Sequence, residues 1–155
     1  MFVCEESSQE TKKDKMKNTT DKTPVCYVYL LSKAYQKGHN LVQGNLKKFG
    51  LTNMQYVVLE CLWRSEGLTL SETGKQLSID KATLSGVIER MTDAGWIQKE
   101  KDLQDKRVCR LFPSEKSKSL KEQLVKERVK ANDKLLSGFS MDEKVILKRL
   151  LLAML

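Results

Sequence analysis

One histidine, and four cysteines at positions 4, 26, 61 and 109 with no C-x-x-C pair among them, are what this chain offers a metal or a disulfide scaffold. That spacing encodes neither a zinc ribbon nor a disulfide-stapled domain. With His39 alone, a multi-histidine metal site within one chain is excluded. A nucleophile-base pair and a glycine-rich phosphate loop are also lacking, so the sequence does not read as an enzyme and implies no cofactor. No apolar run approaches the length that spans a bilayer. The opening Met1-Phe-Val-Cys-Glu-Glu lacks the basic start and apolar core of a signal peptide, so the expectation is a cytoplasmic protein with no membrane partner.

What is present is a chain of 155 residues, 40% apolar, which suits one domain with a real core. The net charge is +8, but residues 51–113 carry nine bases against nine acids. The excess lies in residues 1–50, nine against five, and 114–155, ten against six. Bulk charge is therefore a weaker pointer to nucleic acid than the placement of particular bases.

Residues 80–112 carry the most information. Asp80 is a good N-cap, and Leu84, Val87, Ile88 and Met91 follow at i, i+3, i+4 and i+7, one apolar stripe. Lys81, Thr83, Ser85, Glu89 and Arg90 lie off the stripe and are free to touch a partner. Gly95 supplies a left-handed stop, with Trp96 packing back on Met91. Ile97–Lys101 and Val108–Phe112 then pair as antiparallel strands, with Cys109 and Leu111 inward. The loop between them holds Asp102, Asp105, Lys106 and Arg107. After an amphipathic helix such a hairpin reads as a wing. Arg107 at its tip can enter a narrow minor groove, where the negative potential is enhanced, while Asp105 orients the guanidinium through a salt bridge.

Four segments in order, Gly50-Leu-Thr-x-x-Gln-Tyr56, Ile79-Asp-Lys-Ala-Thr-Leu-Ser85, Arg90-Met-x-x-x-Gly95 and Asp102-x-x-Asp-x-Arg107, resemble the winged-helix domain of the MarR (multiple antibiotic resistance regulator) family of bacterial and archaeal transcription factors. Thr73 departs from the pattern where the family usually has an apolar residue, and Pro113-Ser114 replaces the usual Leu-Thr. Both bear on local packing.

The fold class expected is mainly α with a small β-wing, a winged helix-turn-helix domain flanked by N- and C-terminal dimerisation helices. Residues 1–22 are polar and read as a mobile tail. Residues 23–49 read as a first dimerisation helix, with Thr23 as N-cap, Pro24 at N1 and an end near Lys48. Residues 50–113 form the DNA-binding domain. Within it Thr52-x-x-Gln55 and Thr69-x-x-Glu72 are capping boxes, and Gly67-Leu68 can add an edge strand to the wing. Residues 114–155 complete the dimerisation region. One helix runs from a Ser114 cap to Ser137 and stops at Gly138, and a last one opens on the box Ser140-x-x-Glu143. The apolar surface of Met141–Leu155 would stand exposed in a monomer, so an intertwined homodimer of the first and last helices is expected.

The reading that follows is a homodimeric DNA-binding regulator, a repressor by what the resemblance implies, on a pseudo-palindrome with half-sites roughly 34–36 Å apart. Lys81, Thr83 and Ser85 are candidates for base edges, Arg90 and Lys106 for phosphates, and Arg107 for the minor groove. A winged-helix module that binds protein instead of DNA is the alternative from another class. The resemblance further implies release by a small aromatic or phenolic effector, for which Tyr27, Tyr35, His39, Tyr56 and Trp63 are candidate pocket residues. It also implies, in the peroxide-sensing branch of the family, a reactive cysteine at the start of the first helix. Cys26, beside Tyr27 and Tyr29, resembles that sensor, although counting back from Leu51-Thr52 places it about two residues early, roughly half a turn. Cys61 and Cys109 read as structural.

Overall fold

Five of the six α-helices among the described residues start on a side chain that caps them, which is why single residues mark their positions. The computed structural model describes residues 24–155; the tail expected over 1–22, Cys4 and the Thr23 cap lie outside them. Helix α1 spans Tyr27–Leu46 and passes into a short 3-10 turn, Lys47–Phe49. It starts later than expected from Pro24. Cys26 is its extended N-cap, and the cysteine side chain makes no capping hydrogen bond.

Helix α2 (Asn53–Arg64) and α3 (Leu70–Leu77) open on complete capping boxes, Thr52 with Gln55 and Thr69 with Glu72. Helix α4 (Lys81–Asp93) opens on Asp80, whose carboxylate accepts from the Thr83 amide at 2.9 Å. It closes on Gly95 at φ +69, with the Trp96 amide donating to Met91 at 2.8 Å and the Gly95 amide to Thr92 at 2.9 Å. These two bonds form a Schellman ending and fix the direction in which the chain leaves the helix.

Strands β1 (Leu68–Thr69), β2 (Ile97–Lys101) and β3 (Cys109–Pro113) make an antiparallel sheet in the order β1-β3-β2. Leu68 pairs with Leu111, and Lys99 pairs with Leu111 from the other side. The third strand starts one residue later than expected because the Val108 amide is taken by the Asp105 carbonyl, 2.9 Å, inside the wing loop. Cys109 corrects a second expectation. It shares a face with buried Leu111, but it pairs with Lys101 at the outer end of the hairpin and is exposed there.

The core gathers Leu46, Leu51, Tyr56, Val58, Leu59, Leu62, Leu84, Val87, Ile88, Met91, Trp96, Ile97, Leu111 and Leu124. The whole stripe of α4 is in it, so the opposite face must point out. Both departures from the family pattern are absorbed locally. Thr73 is fully buried, and its hydroxyl donates to the Thr69 carbonyl at 2.9 Å. Ser114 donates to the Gly95 carbonyl at 2.7 Å and accepts from the Ser117 amide, so it caps the next helix while tying it to the end of α4.

That helix, α5 (Glu115–Leu135), runs beside α1, and α6 (Met141–Leu152) follows on the capping box Ser140 with Glu143. Gly38 admits the close approach of α5 to α1, since a β-carbon there would lie 3.1 Å from Leu135. Helix α5 ends two residues before the expected Ser137. A turn in which the Phe139 amide donates to Leu136 at 3.1 Å follows it, and Gly138 takes no left-handed conformation. No residue of α6 is buried. Its Val145, Ile146, Leu150, Leu151 and Leu152 are exposed, as are Val28 and Leu30 of α1.

Candidate nucleic-acid interface

Helices α3 and α4 are joined by Ser78-Ile79-Asp80. Ser78 takes the left-handed conformation at φ 53, and the Ile79 amide donates to Gly74 at 3.0 Å. The turn is tight, and α4 leaves it with its first residues clear of the core. Lys81 and Thr83 are exposed, Ser85 is half-buried, and Arg90 is exposed one helix face further on. Hydrogen bonds from Thr83 hold the Asp80 carboxyl below its ordinary range, so the cap stays ionised at the positive end of the helix.

The Schellman ending leads the chain out of α4 and into β2. Five residues of extended chain, roughly 17 Å long, lead from there to the wing tip. At that tip Lys106 is exposed and the Arg107 side chain is 93% exposed. Asp105 orients Arg107 twice, accepting from its amide at 3.0 Å and from Nε at 3.3 Å. The expected Asp105–Arg107 salt bridge is therefore present, on an open surface. Among the described residues no ion pair engages Lys81, Arg90 or Lys106. Cations with no internal ionic partner are available to phosphates.

The base of the wing holds a second pair that the sequence reading missed. Asp102 accepts from the amides of Gln104, 2.8 Å, and Asp105, 3.0 Å, and from Arg110 Nε. Arg110 Nη1 also donates to the Gly67 carbonyl at 2.9 Å. The amides of Asp105 and Gln104 together with the Arg110 guanidinium hold the Asp102 carboxyl down to about 2, from an ordinary 3.8. The Asp-x-Gln-Asp run is the local sign of an Asx turn that marks one half of this arrangement. The Arg110 half has no local sign.

The residues expected to line an effector pocket separate into three groups. Tyr35 and His39, ring centroids 5.5 Å apart, lie on a largely apolar groove of about 680 Å³ between α1, α5 and α6. Val42, Leu135, Phe139 and Leu151 are among its apolar lining residues. Tyr27 stands exposed near the start of α1, away from the groove lining. Tyr56 and Trp63 point elsewhere altogether. Their rings meet edge to face at 6.0 Å, Tyr56 is 1% exposed within the core, and Trp63 donates to Ser117 Oγ at 3.3 Å. Burial also pushes the Tyr56 hydroxyl up.

Of the cysteines, Cys26 is exposed at the N-cap of α1. Cys61 is buried, donates to Gln76 Oε1 at 3.2 Å, and is pushed up by that burial. Among the described residues no cluster of His, Cys, Asp or Glu could hold a metal, and no helix is long and apolar enough to cross a membrane.

The family model for MarR matches residues 51–109, from the start of α2 to the outer end of β3. The chain is 31% identical over 105 residues to the uncharacterised HTH-type transcriptional regulator YybA of Bacillus subtilis, covering 68% of this chain and 70% of that one. Among solved structures it is similar to Bordetella bronchiseptica BpsR, with a TM-score of 0.77 and 27% identity over 85% of this chain and 97% of that one. That structure bears on regulation of BpsR's DNA binding by 6-hydroxynicotinic acid. A mutant MarR from E. coli complexed with operator DNA shares the fold, with a TM-score of 0.78 at 24% identity over 83% of this chain and 92% of that one.

Proposed function

This chain belongs to the MarR family of DNA-binding transcriptional regulators, which are not enzymes, and from that premise we propose that it acts as a homodimeric repressor. Its operator would be a pseudo-palindrome, and a small aromatic molecule would release it. The observation that carries DNA binding is the pairing of two outward-facing elements on one rigid frame. The first turns of α4 offer Lys81, Thr83 and Ser85, and the wing offers Lys106 and an Arg107 already oriented by Asp105. Helix and wing strands are joined through a Schellman ending and a sheet that contributes Ile97 and Leu111 to the core.

Dimerisation is supported by the two apolar faces left open. Val145, Ile146, Leu150 and Leu152 of α6 and Val28 and Leu30 of α1 present apolar surface that a monomer would leave in water. A two-fold pairing of these faces would set two α4 helices in successive major grooves, roughly 34–36 Å apart. The groove holding Tyr35 and His39 lies among those same helices, which gives an effector a place from which to change the spacing of the two lobes. The groove's apolar lining and its two neighbouring rings, tilted by 42° to each other, suit an aromatic acid of one ring.

The test is selection of duplexes from a random pool, followed by sedimentation of free and bound protein. Enrichment of an inverted repeat bound by two chains is the expected result. Failure to enrich any duplex would favour the protein-binding module instead. The thiol-sensing reading keeps one observation in its favour, the exposure of Cys26 at the head of α1. An organic hydroperoxide should then release DNA from the wild type and leave Cys26→Ser bound; equal behaviour of both proteins removes it.

A further inference from the structure

We propose that Arg110 is the positioning residue of the wing, tying its loop to the turn that leads into β1 and so setting where Arg107 points. The link is a continuous polar chain. The Gly67 amide donates to the Leu111 carbonyl at 2.9 Å, which pins the turn to the sheet, and the Gly67 carbonyl in turn accepts from Arg110 Nη1 at 2.9 Å. The other edge of the same guanidinium meets Asp102, and Asp102 Oδ1 holds the amides of Gln104 and Asp105. Asp105 then carries Arg107.

No residue of the loop is fully buried. Leu103 is 99% exposed, Val108 is half-buried where the loop meets β3, and a cavity of about 390 Å³ lies against the loop between Glu100, Leu103, Arg110 and Phe112. A loop without a buried side chain keeps one shape only through its hydrogen bonds. The groups facing Arg110 all favour its charge. Asp102 raises the guanidinium pKa further, and Glu72 of α3 adds to it. Arginine suits the position because one planar fork reaches two acceptors that diverge from each other, which a lysine ammonium on a single stem does less well.

This role rests on the DNA-binding reading, so the experiment separates the two. In the free protein, amide exchange at Gln104 and Asp105 reads the loop alone. Arg110→Leu should speed both by about tenfold or more while the amides of α4 keep their protection. On a duplex selected by the wild type, Arg110→Leu should weaken binding by about fivefold or more, with Arg110→Lys in between. The deciding readout is the double variant. If Arg110 acts through Arg107, adding Arg110→Leu to Arg107→Ala should cost less than about twofold more than Arg107→Ala alone, although Arg110→Leu is costly in the wild type. Multiplying losses would show that Arg110 touches DNA itself, and unchanged exchange would show that it does not hold the loop; either overturns the proposal. Asp102→Asn probes the same link from its other end should Arg110→Leu fail to fold. A wild type that selects no duplex overturns the DNA-binding reading and the aiming role together, while the exchange result still judges the link within the wing.

Discussion

Placing two aspartates on the open face of the last helix is the sharpest test of the assembly. Ile146 and Leu150 of α6 are 50% and 47% exposed and lie four residues apart, so they share a face. Full burial of such a side chain is worth about 1.5–3 kcal/mol, so covering the exposed half of each returns roughly half of that. A two-fold interface counts every residue twice, and four half-covered side chains come to about 3–6 kcal/mol. Ile146→Asp with Leu150→Asp should therefore raise the dimer dissociation constant by about two to four decades, before any cost of burying the new carboxylates. The isolated protomer should fold as before, because both side chains already meet solvent in it. Analytical ultracentrifugation across a concentration series measures the shift, with circular dichroism as the control on folding. A double variant that remains dimeric at the wild-type concentration would show that α6 is not the interface. Binding to the inverted repeat should fall in parallel, since one protomer reaches only one half-site.

Arg107→Ala should cost about 1–3 kcal/mol in operator binding at fixed salt, and leave the melting temperature unchanged because so exposed an ion pair contributes little to folding. An unaltered affinity in an intact dimer would remove the wing from the interface. Leu84→Ala should destabilise the fold by about 2–5 kcal/mol, since Leu84 is fully buried where α4 meets the core; differential scanning calorimetry would register a drop of several degrees or more. A shift within the error of the scan would mean that α4 is not anchored as described. The Asp102 carboxyl loses pKa on folding, so its ionised form favours the ordered wing. That contribution is complete above the ordinary 3.8 and disappears as the pH falls through about 2. A carboxyl carbon shift that titrated near 4 instead would contradict the network drawn around it.

The helix starts are legible in the amino-acid sequence because a cap is a bond between residues three apart. Thr52, Thr69, Asp80, Ser114 and Ser140 each accept from an amide within one turn, and no distant part of the chain is needed to form it. The same holds for the stripe of α4 and its Gly95 stop, and for Asp105 beside Arg107. Through these the sequence alone determined the winged helix-turn-helix and most of the residues on its outer face. Where α1 starts was less legible, since Pro24 satisfied a local rule while the helix opens only after Cys26.

What only the tertiary structure decided are contacts between residues far apart in the chain. Tyr35 and His39 reach the groove while Tyr56 and Trp63 do not, because α2 crosses the middle of the core and α1 its edge. Periodicity marks an apolar face without saying which neighbour it meets. Cys109 alternates with Leu111 as an inward residue should, yet the hairpin outruns the helices that would cover it. Arg110 finds Asp102 eight residues back and Gly67 forty-three residues back only once β1 has paired with β3. Bonds within a turn are set by neighbouring residues, whereas a bond across strands exists only after the sheet has fixed the register that brings its two ends together.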